Sequence, residues 1–187
     1  EGVKVRYVRG DFADTQEGRL QKTMLAAIAE YESAKISERH RRGALTKARN
    51  GRVVGAGRPT FGYTYRNDEY LIDESQARVV RMIYDWYVEG VSIRGIARKL
   101  QNKGIKTRNG NDHWSSSSIH YILKNETYVG TLYYNRRERQ PDSSLEFRDE
   151  EEWIEIPVPA IVDQDVWNAA QARRERNLKR LRRRPKH

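Results

Sequence analysis

A hydrolytic or redox centre needs a nucleophile beside its activating base, or ligands spaced for a metal ion. The four histidines, His40, His113, His120 and His187, fall in no His-x-x-x-His or His-Glu-x-x-His arrangement. With no cysteine there is no thiolate nucleophile, no disulfide framework and no Cys-ligated zinc. No Gly-x-x-x-x-Gly-Lys loop is present to cradle a nucleotide, and no Ser or Tyr has an activating group next to it in sequence. The carboxylates of residues 142–155 crowd a polar stretch, where they solvate the chain rather than form an acid/base pair. No metal and no cofactor is expected. What the sequence does supply is cationic side chains: 36 Lys+Arg against 26 Asp+Glu, a formal charge of +10. That balance favours a polyanion as partner.

The cations are concentrated in three zones. Residues 35–58 carry eight Lys/Arg with Glu38 as the one acid, residues 92–124 carry seven with Asp112, and residues 173–187 carry nine with Glu175. Their order suggests distinct roles. The stretch 50–59 holds three glycines, small residues, Arg52 and Arg58, and makes a thin cationic strap. Arginine on a slender backbone suits a narrow minor groove, where negative potential is concentrated. The second zone surrounds a pair of helices, the later of which offers Ser115, Ser116, Ser117, His120, Tyr121 and Lys124. In a helix-turn-helix the second helix presents its N-terminal residues to base edges, and short hydroxyl side chains let the backbone approach the groove. Arg94, Lys106 and Arg108 flank that helix, while Ile119 and Ile122 are expected to face a core. The third zone reads as a basic tail.

The elements that would position these groups can be read from periodicity and caps. Val3, Val5 and Tyr7 alternate as a strand does. Asp14 with Glu17 fits a capping box, and the chain then runs helical over residues 16–50, about 50 Å at 1.5 Å per residue. Leu20, Met24, Ala27, Tyr31 and Ala34 step 4-3-4-3 as a seam for packing against protein. Beyond Ala34 that face turns basic. Tyr63, Tyr65, Tyr70 and Ile72 suggest a hairpin turning at Asn67-Asp68. Asp73 caps a helix that Gly90 ends, with Val79, Val80, Ile83, Tyr84, Trp86 and Tyr87 inward. Ser92 caps the next helix, carrying Ile93, Ile96, Ala97 and Leu100. Asn109-Gly110 predicts a β-hairpin turn between that helix and the one capped near Ser115. Residues 127–134 and 153–157 read as strands, and Asp163 caps a last helix with Val166, Trp167 and Ala170 inward.

The 187 residues suit one or two small domains, and the 10% aromatic content argues for real cores. No apolar run approaches the roughly 20 residues that span a bilayer. The fold class expected is α+β, mostly helical: a long N-terminal α-helix followed by a small mixed domain with a helix-turn-helix-like, winged-helix-like core. A cytoplasmic, nucleoid-associated location is expected.

Several stretches resemble the serine recombinase family. They are Gly18-Arg19-Leu20, the run from Leu25 through Glu32, Ile36-Ser37-Glu38-Arg39, Ala48-Arg49-Asn50-Gly51-Arg52, and Gly57-Arg58-Pro59-Thr60-Phe61-Gly62-Tyr63. Gly90-Val91-Ser92, Gly104-Ile105, Trp114, Tyr128-Val129-Gly130 and Ala160-Ile161-Val162 continue it in order, and the likeness is to the large serine recombinases or serine integrases. The resemblance implies residues 1–14 as the end of a catalytic domain, 15–50 as a linking and dimerisation helix, 51–62 as a minor-groove linker and 63–187 as the recombinase domain with a basic C-terminal tail. It further implies double-stranded DNA, an attachment half-site, as partner. Arg42, Lys47, Arg49, Arg52 and Arg58 would meet that DNA along with the helix-pair residues named above. Leu20, Met24, Ala27 and Tyr31 would form the seam of a dimer or tetramer of the full-length protein. In that family a serine hydroxyl attacks a phosphodiester. Its nucleophile and most of its arginine cluster belong to segments ahead of Glu1, and a four-cysteine zinc ribbon to segments after His187. On that reading the chain is part of a longer enzyme and cleaves no strand alone, with Arg39 the candidate remnant of the active site. Two other readings of the residues stay open: a helix-turn-helix transcriptional regulator, and a coiled-coil interaction module built on residues 20–34.

Overall fold

The computed structural model describes residues 15–55, 58–140 and 142–182. Among these the fold is α+β and mostly helical, with five α-helices and three two-stranded antiparallel ladders. The chain divides into two compact units, one ending at Thr46 and the other beginning at Lys47.

Helix α1 spans Gln16–Arg49 without interruption. The Thr15 hydroxyl accepts the Gly18 amide at 3.1 Å and so caps the helix one residue later than expected. Asp14 and the strand expected at residues 3–7 lie outside the described residues. The helix stops in a Schellman motif: the Arg52 amide reaches the Lys47 carbonyl at 3.2 Å and the Gly51 amide the Ala48 carbonyl at 2.9 Å. Gly51 sits at φ +71°, which a side chain would strain, so a glycine is what ends α1. The same pair of hydrogen bonds closes the next two helices at Gly90 and Gly104. In the first unit the expected seam residues Leu20, Met24, Ala27 and Tyr31 all stand exposed, as do Leu25, Ile28 and Ile36.

The second unit begins with β1 (Tyr63–Arg66) and β2 (Glu69–Ile72), paired in register with Tyr65 opposite Tyr70. Asn67 and Asp68 both take positive φ, 50° and 66°, the backbone of a two-residue hairpin turn. Helix α2 (Glu74–Val88) is capped by Asp73, whose carboxylate accepts the Ser75 and Gln76 amides. Helices α3 (Ile93–Asn102), α4 (Ser116–Lys124) and α5 (Gln164–Arg182) pack with it around one core. Val80, Ile83, Tyr84, Ile96, Leu100, Ile119, Leu123 and Tyr128 are almost completely removed from solvent there. Each fully buried aliphatic side chain of this kind contributes roughly 1.5–3 kcal/mol. A smaller cluster of Ala48, Val53 and Ile156 fastens the end of α1 and the start of the strap to the same unit.

Four expectations need correction. The segment 103–115 is no β-hairpin: the Thr107 amide meets the Asn111 carbonyl and the Gly110 amide the Thr107 carbonyl, which closes a loop and leaves no ladder. The Trp114 indole donates to the Ile105 carbonyl at 2.8 Å and buries its ring, so the flanks are tied by a side chain and not by strand pairing. Residues 127–134 are not one strand; a 3₁₀ helix (Glu126–Val129) precedes β3 (Thr131–Tyr134), broken at Gly130 with φ +102°. Strand β3 pairs with β6 (Ile154–Pro157) as the two apolar runs require. The acidic stretch contains an unforeseen hairpin, β4 (Arg137–Arg139) with β5 (Leu145–Phe147). Finally, the basic C-terminal zone is helical in α5 as far as Arg182.

Candidate nucleic-acid interface

Helix α4 has two faces of opposite character. Ile119, Ile122 and Leu123 are sunk in the core, and the Tyr84 hydroxyl donates to the Ile122 carbonyl at 2.9 Å. The opposite face leaves Ser116, Ser117, His120, Tyr121 and Lys124 in solvent, with Tyr121 64% exposed. Ser115 plays another part, since its Oγ accepts the Ser118 amide at 3.0 Å as the helix cap. Such a helix start, with unsatisfied amides and only short side chains, is open to close approach by an anionic surface.

The connection from α3 lies against this helix start. Phe61, Thr107, Arg108, Asn109, Ser117 and Tyr121 are among the residues enclosing a hollow of about 500 Å³. Phe61 and Trp114 meet edge to face at 5.4 Å and form its floor. Lys106 is exposed and lies 3.9 Å from Asp112, and Arg94 is exposed on α3. Arg108 is half-buried at the rim.

Among the described residues the strap reaches this region through Arg58. Arg58 donates to the Asn109 side-chain carbonyl at 2.6 Å, so its guanidinium stands beside the α3–α4 loop. At the other end the strap is held closely. Val53 is buried, and its amide donates to the Asp68 carbonyl at 2.8 Å. Gly55 lies flat on Tyr65, where a Cβ would come within 2.4 Å of the ring. Arg52, immediately before Val53, remains exposed.

The structure places the remaining sequence-derived candidates as follows. Lys47 is half-buried, its ammonium 2.5 Å from Asp68 and 3.3 Å from the Tyr65 hydroxyl. The hydrogen bond from Lys47, then that from Tyr65, holds the Asp68 carboxyl below its usual range, and the same bond raises Lys47. Lys47 thus clasps the end of α1 to the β1–β2 turn. Arg42 pairs with Glu38 at 2.8 Å one turn earlier, and Arg39 and Arg49 are exposed. The Arg58–Asn109 and Lys47–Asp68 contacts escaped the sequence reading because their partners lie 51 and 21 residues apart. Only the turn residues around them were visible. Among the described residues no helix is long and apolar enough to cross a membrane.

Comparison with known proteins adds to this geometry. Residues 74–177 match the family model "Recombinase", and residues 1–53 match "Resolvase, N terminal domain". A curated relative, "Putative DNA recombinase" of Bacillus subtilis (strain 168), is 31% identical over 185 residues, covering 90% of this chain and 37% of that protein. Among solved structures, "Crystal Structure of a LSR-DNA Complex" superposes with a TM-score of 0.54 at 22% identity, covering 75% of this chain and 39% of the other. "Sequence Requirements of the Listeria innocua prophage attP site" gives a TM-score of 0.53 at 21% identity, covering 74% of this chain and 52% of the other. At those identities the likeness is one of fold. The chain spans between about a third and a half of these relatives' lengths.

Proposed function

The chain belongs to the serine recombinase family, and from that membership together with the two-faced α4 we propose that it binds duplex DNA at a recombination half-site. Helix α4 enters the major groove with Ser116, Ser117, His120 and Tyr121 toward the base edges, while Lys124, Arg94, Lys106 and Arg108 meet phosphates. The strap carries Arg52 and Arg58 into the adjoining minor groove. Arg42 and Arg49 lie on the basic end of α1, where they would meet the backbone nearer the exchange point. The exposed face of Leu20, Met24, Ala27 and Tyr31 packs against another subunit. In the longer protein this unit selects the site at which strands are exchanged.

The observation that carries the reading is the split of α4. Its inner face is fastened by Ile119, Ile122 and Leu123, and its outer N-terminal face is bare, hydroxyl-rich and flanked by cations. Selection of bound duplexes from a random pool, followed by titration against the recovered sequence, tests it. A preferred sequence with log affinity falling linearly in log salt, by about 0.9 per phosphate neutralised, is expected. Replacing Arg52 and Arg58 together by Ala is expected to weaken binding most on A·T-rich inner sequence and to reduce the salt slope by about 2. A flat salt response, or a pool that yields no preferred sequence, sinks the proposal.

A further inference from the structure

A second concavity, about 780 Å³ and open to solvent, lies on the other flank of α4. Four cations line it: Lys124 from α4, Arg136 and Arg137 from the β3–β4 connection and β4, and Arg174 from α5. One carboxylate, that of Glu126, stands among them. The sequence reading gave Arg136 and Arg137 no role and Arg174 only a place in the basic tail.

Arginines nearby show what structural ones do in this fold. Arg148 is neutralised by Glu138 and by Glu152, the latter at 2.6 Å. Arg173 donates to the carbonyls of Tyr87 and Gly90 at the end of α2. The cleft arginines are held differently. The Arg136 guanidinium stacks 4.3 Å from the centre of the Trp153 ring and 5.3 Å from that of Tyr133, and Arg137 sits 4.6 Å from Phe147. Among the described residues Arg174 bonds to the neutral side chain of Gln171. Among the described residues none of the three meets a carboxylate within salt-bridge distance. Stacking fixes the plane of a guanidinium without cancelling its charge, and leaves its terminal N–H groups for an acceptor. Four like charges kept together against the single Glu126 carboxylate repel one another, so an anion seated among them is stabilised by all of them.

Tyr121 fixes which anion. It borders both this cleft and the hollow beneath the α3–α4 loop, so the two concavities adjoin along α4. A ligand read by the outer face of α4 passes directly from one to the other. We propose that the cleft seats the sugar–phosphate backbone of the DNA flanking the bases read by α4, with Arg136, Arg137 and Arg174 as phosphate ligands beside Lys124. The proposal rests on α4 being the reading helix. A phosphodiester backbone is favoured over an acidic peptide because the cleft continues the outer face of α4 through Tyr121, and the Tyr133, Tyr134 and Phe147 rings on its wall can cover sugar faces.

The test is a double variant, Arg137→Gln with Arg174→Gln, which leaves the Arg136 stack on Trp153 in place. The 187-residue chain and the variant are titrated with the selected duplex and with an unrelated one between about 50 and 200 mM salt. The expected result is an equal fractional loss of affinity on both duplexes and a salt slope shallower by about 2, with the thermal midpoint unchanged. Arg136→Lys, which keeps the charge and loses the planar fork, is expected to lose affinity on both duplexes with the slope retained. A double variant that matches the wild type on both duplexes overturns the cleft while leaving α4's role intact. A wild type that does not discriminate between the duplexes overturns the reading of α4 and this proposal with it. Affinity of the wild type for a poly-glutamate peptide, lost in the double variant while duplex binding is kept, would assign the cleft to an acidic protein segment instead.

Discussion

At the scale of single residues, the core is organised by tyrosines whose hydroxyls are spoken for. The Tyr63 hydroxyl lies 2.8 Å from both the Thr127 and the Pro159 carbonyls, tying β1 to segments near the far end of the chain. Tyr128 donates to the Phe61 carbonyl at 2.9 Å and Tyr84 to that of Ile122. Removing the hydroxyl in Tyr63→Phe strands buried carbonyls and is expected to cost about 1–3 kcal/mol, read from the urea midpoint. Burial raises the pKa of all three phenols above the ordinary tyrosine value near 10. The folded chain therefore keeps protons that the unfolded chain gives up. Stability from these groups is intact below about pH 10 and falls as pH rises beyond it. Of the eleven tyrosines, three should yield tyrosinate absorbance only together with loss of circular dichroism; ionisation of all eleven with the fold intact would refute the account. Sequence alone marked Tyr63 and Tyr84 as apolar positions. Their hydroxyl partners, 38 and more residues away, required the fold.

At the scale of elements, helix ends were the most legible feature, because a cap is a local event. Asp73 accepts from Ser75 and Gln76 as its spacing from Gln76 indicated, and Gly90 ends α2 at φ +115°. Asp73→Ala is expected to destabilise the fold by about 1 kcal/mol. Hydrogen bonds, that from the Ser75 hydroxyl foremost, lower the Asp73 pKa. Its contribution is thus present above the unfolded value near 4 and fades as pH falls through the lower folded one, so wild type and variant should converge in acid. A stability gap that persists unchanged in acid would show that the cap acts otherwise. Elements held by distant contacts were not legible. The 103–115 loop carries Asn109-Gly110, a strong hairpin dipeptide, yet Trp114 leaves for the core and takes the second flank with it. The β4–β5 hairpin has all six of its strand residues exposed, so no alternation of polarity announced it.

At the scale of the whole molecule, each unit offers a surface of its own. In the first unit Leu20, Met24, Leu25, Ile28, Tyr31 and Ile36 are each more than half exposed, an apolar stretch of the kind that marks an interaction surface. On the proposed reading this face is covered by a second subunit. Met24→Glu with Ile28→Glu is then expected to shift sedimentation velocity toward a single slow species, with duplex affinity per chain retained. Identical profiles at all concentrations would remove the seam. In the second unit the cations of α4, the strap and the Arg136 cleft surround one core.

The sequence by itself determined where the helices begin in the second unit, the caps at Asp73, Ser92 and Ser115, the Asn67-Asp68 turn and the family, because each rests on periodicity or on motifs within a few tens of residues. It also determined that cations outnumber acids and gather in three zones. Tertiary structure decided which cations are free. Lys47 turned inward to Asp68, Arg58 met Asn109, Arg148 found two glutamates, and Arg136 and Arg137 stacked on rings. A charge acts on a ligand only if nothing nearer has neutralised it. Its neighbours in space are set by packing between segments far apart in the chain, which no local pattern encodes.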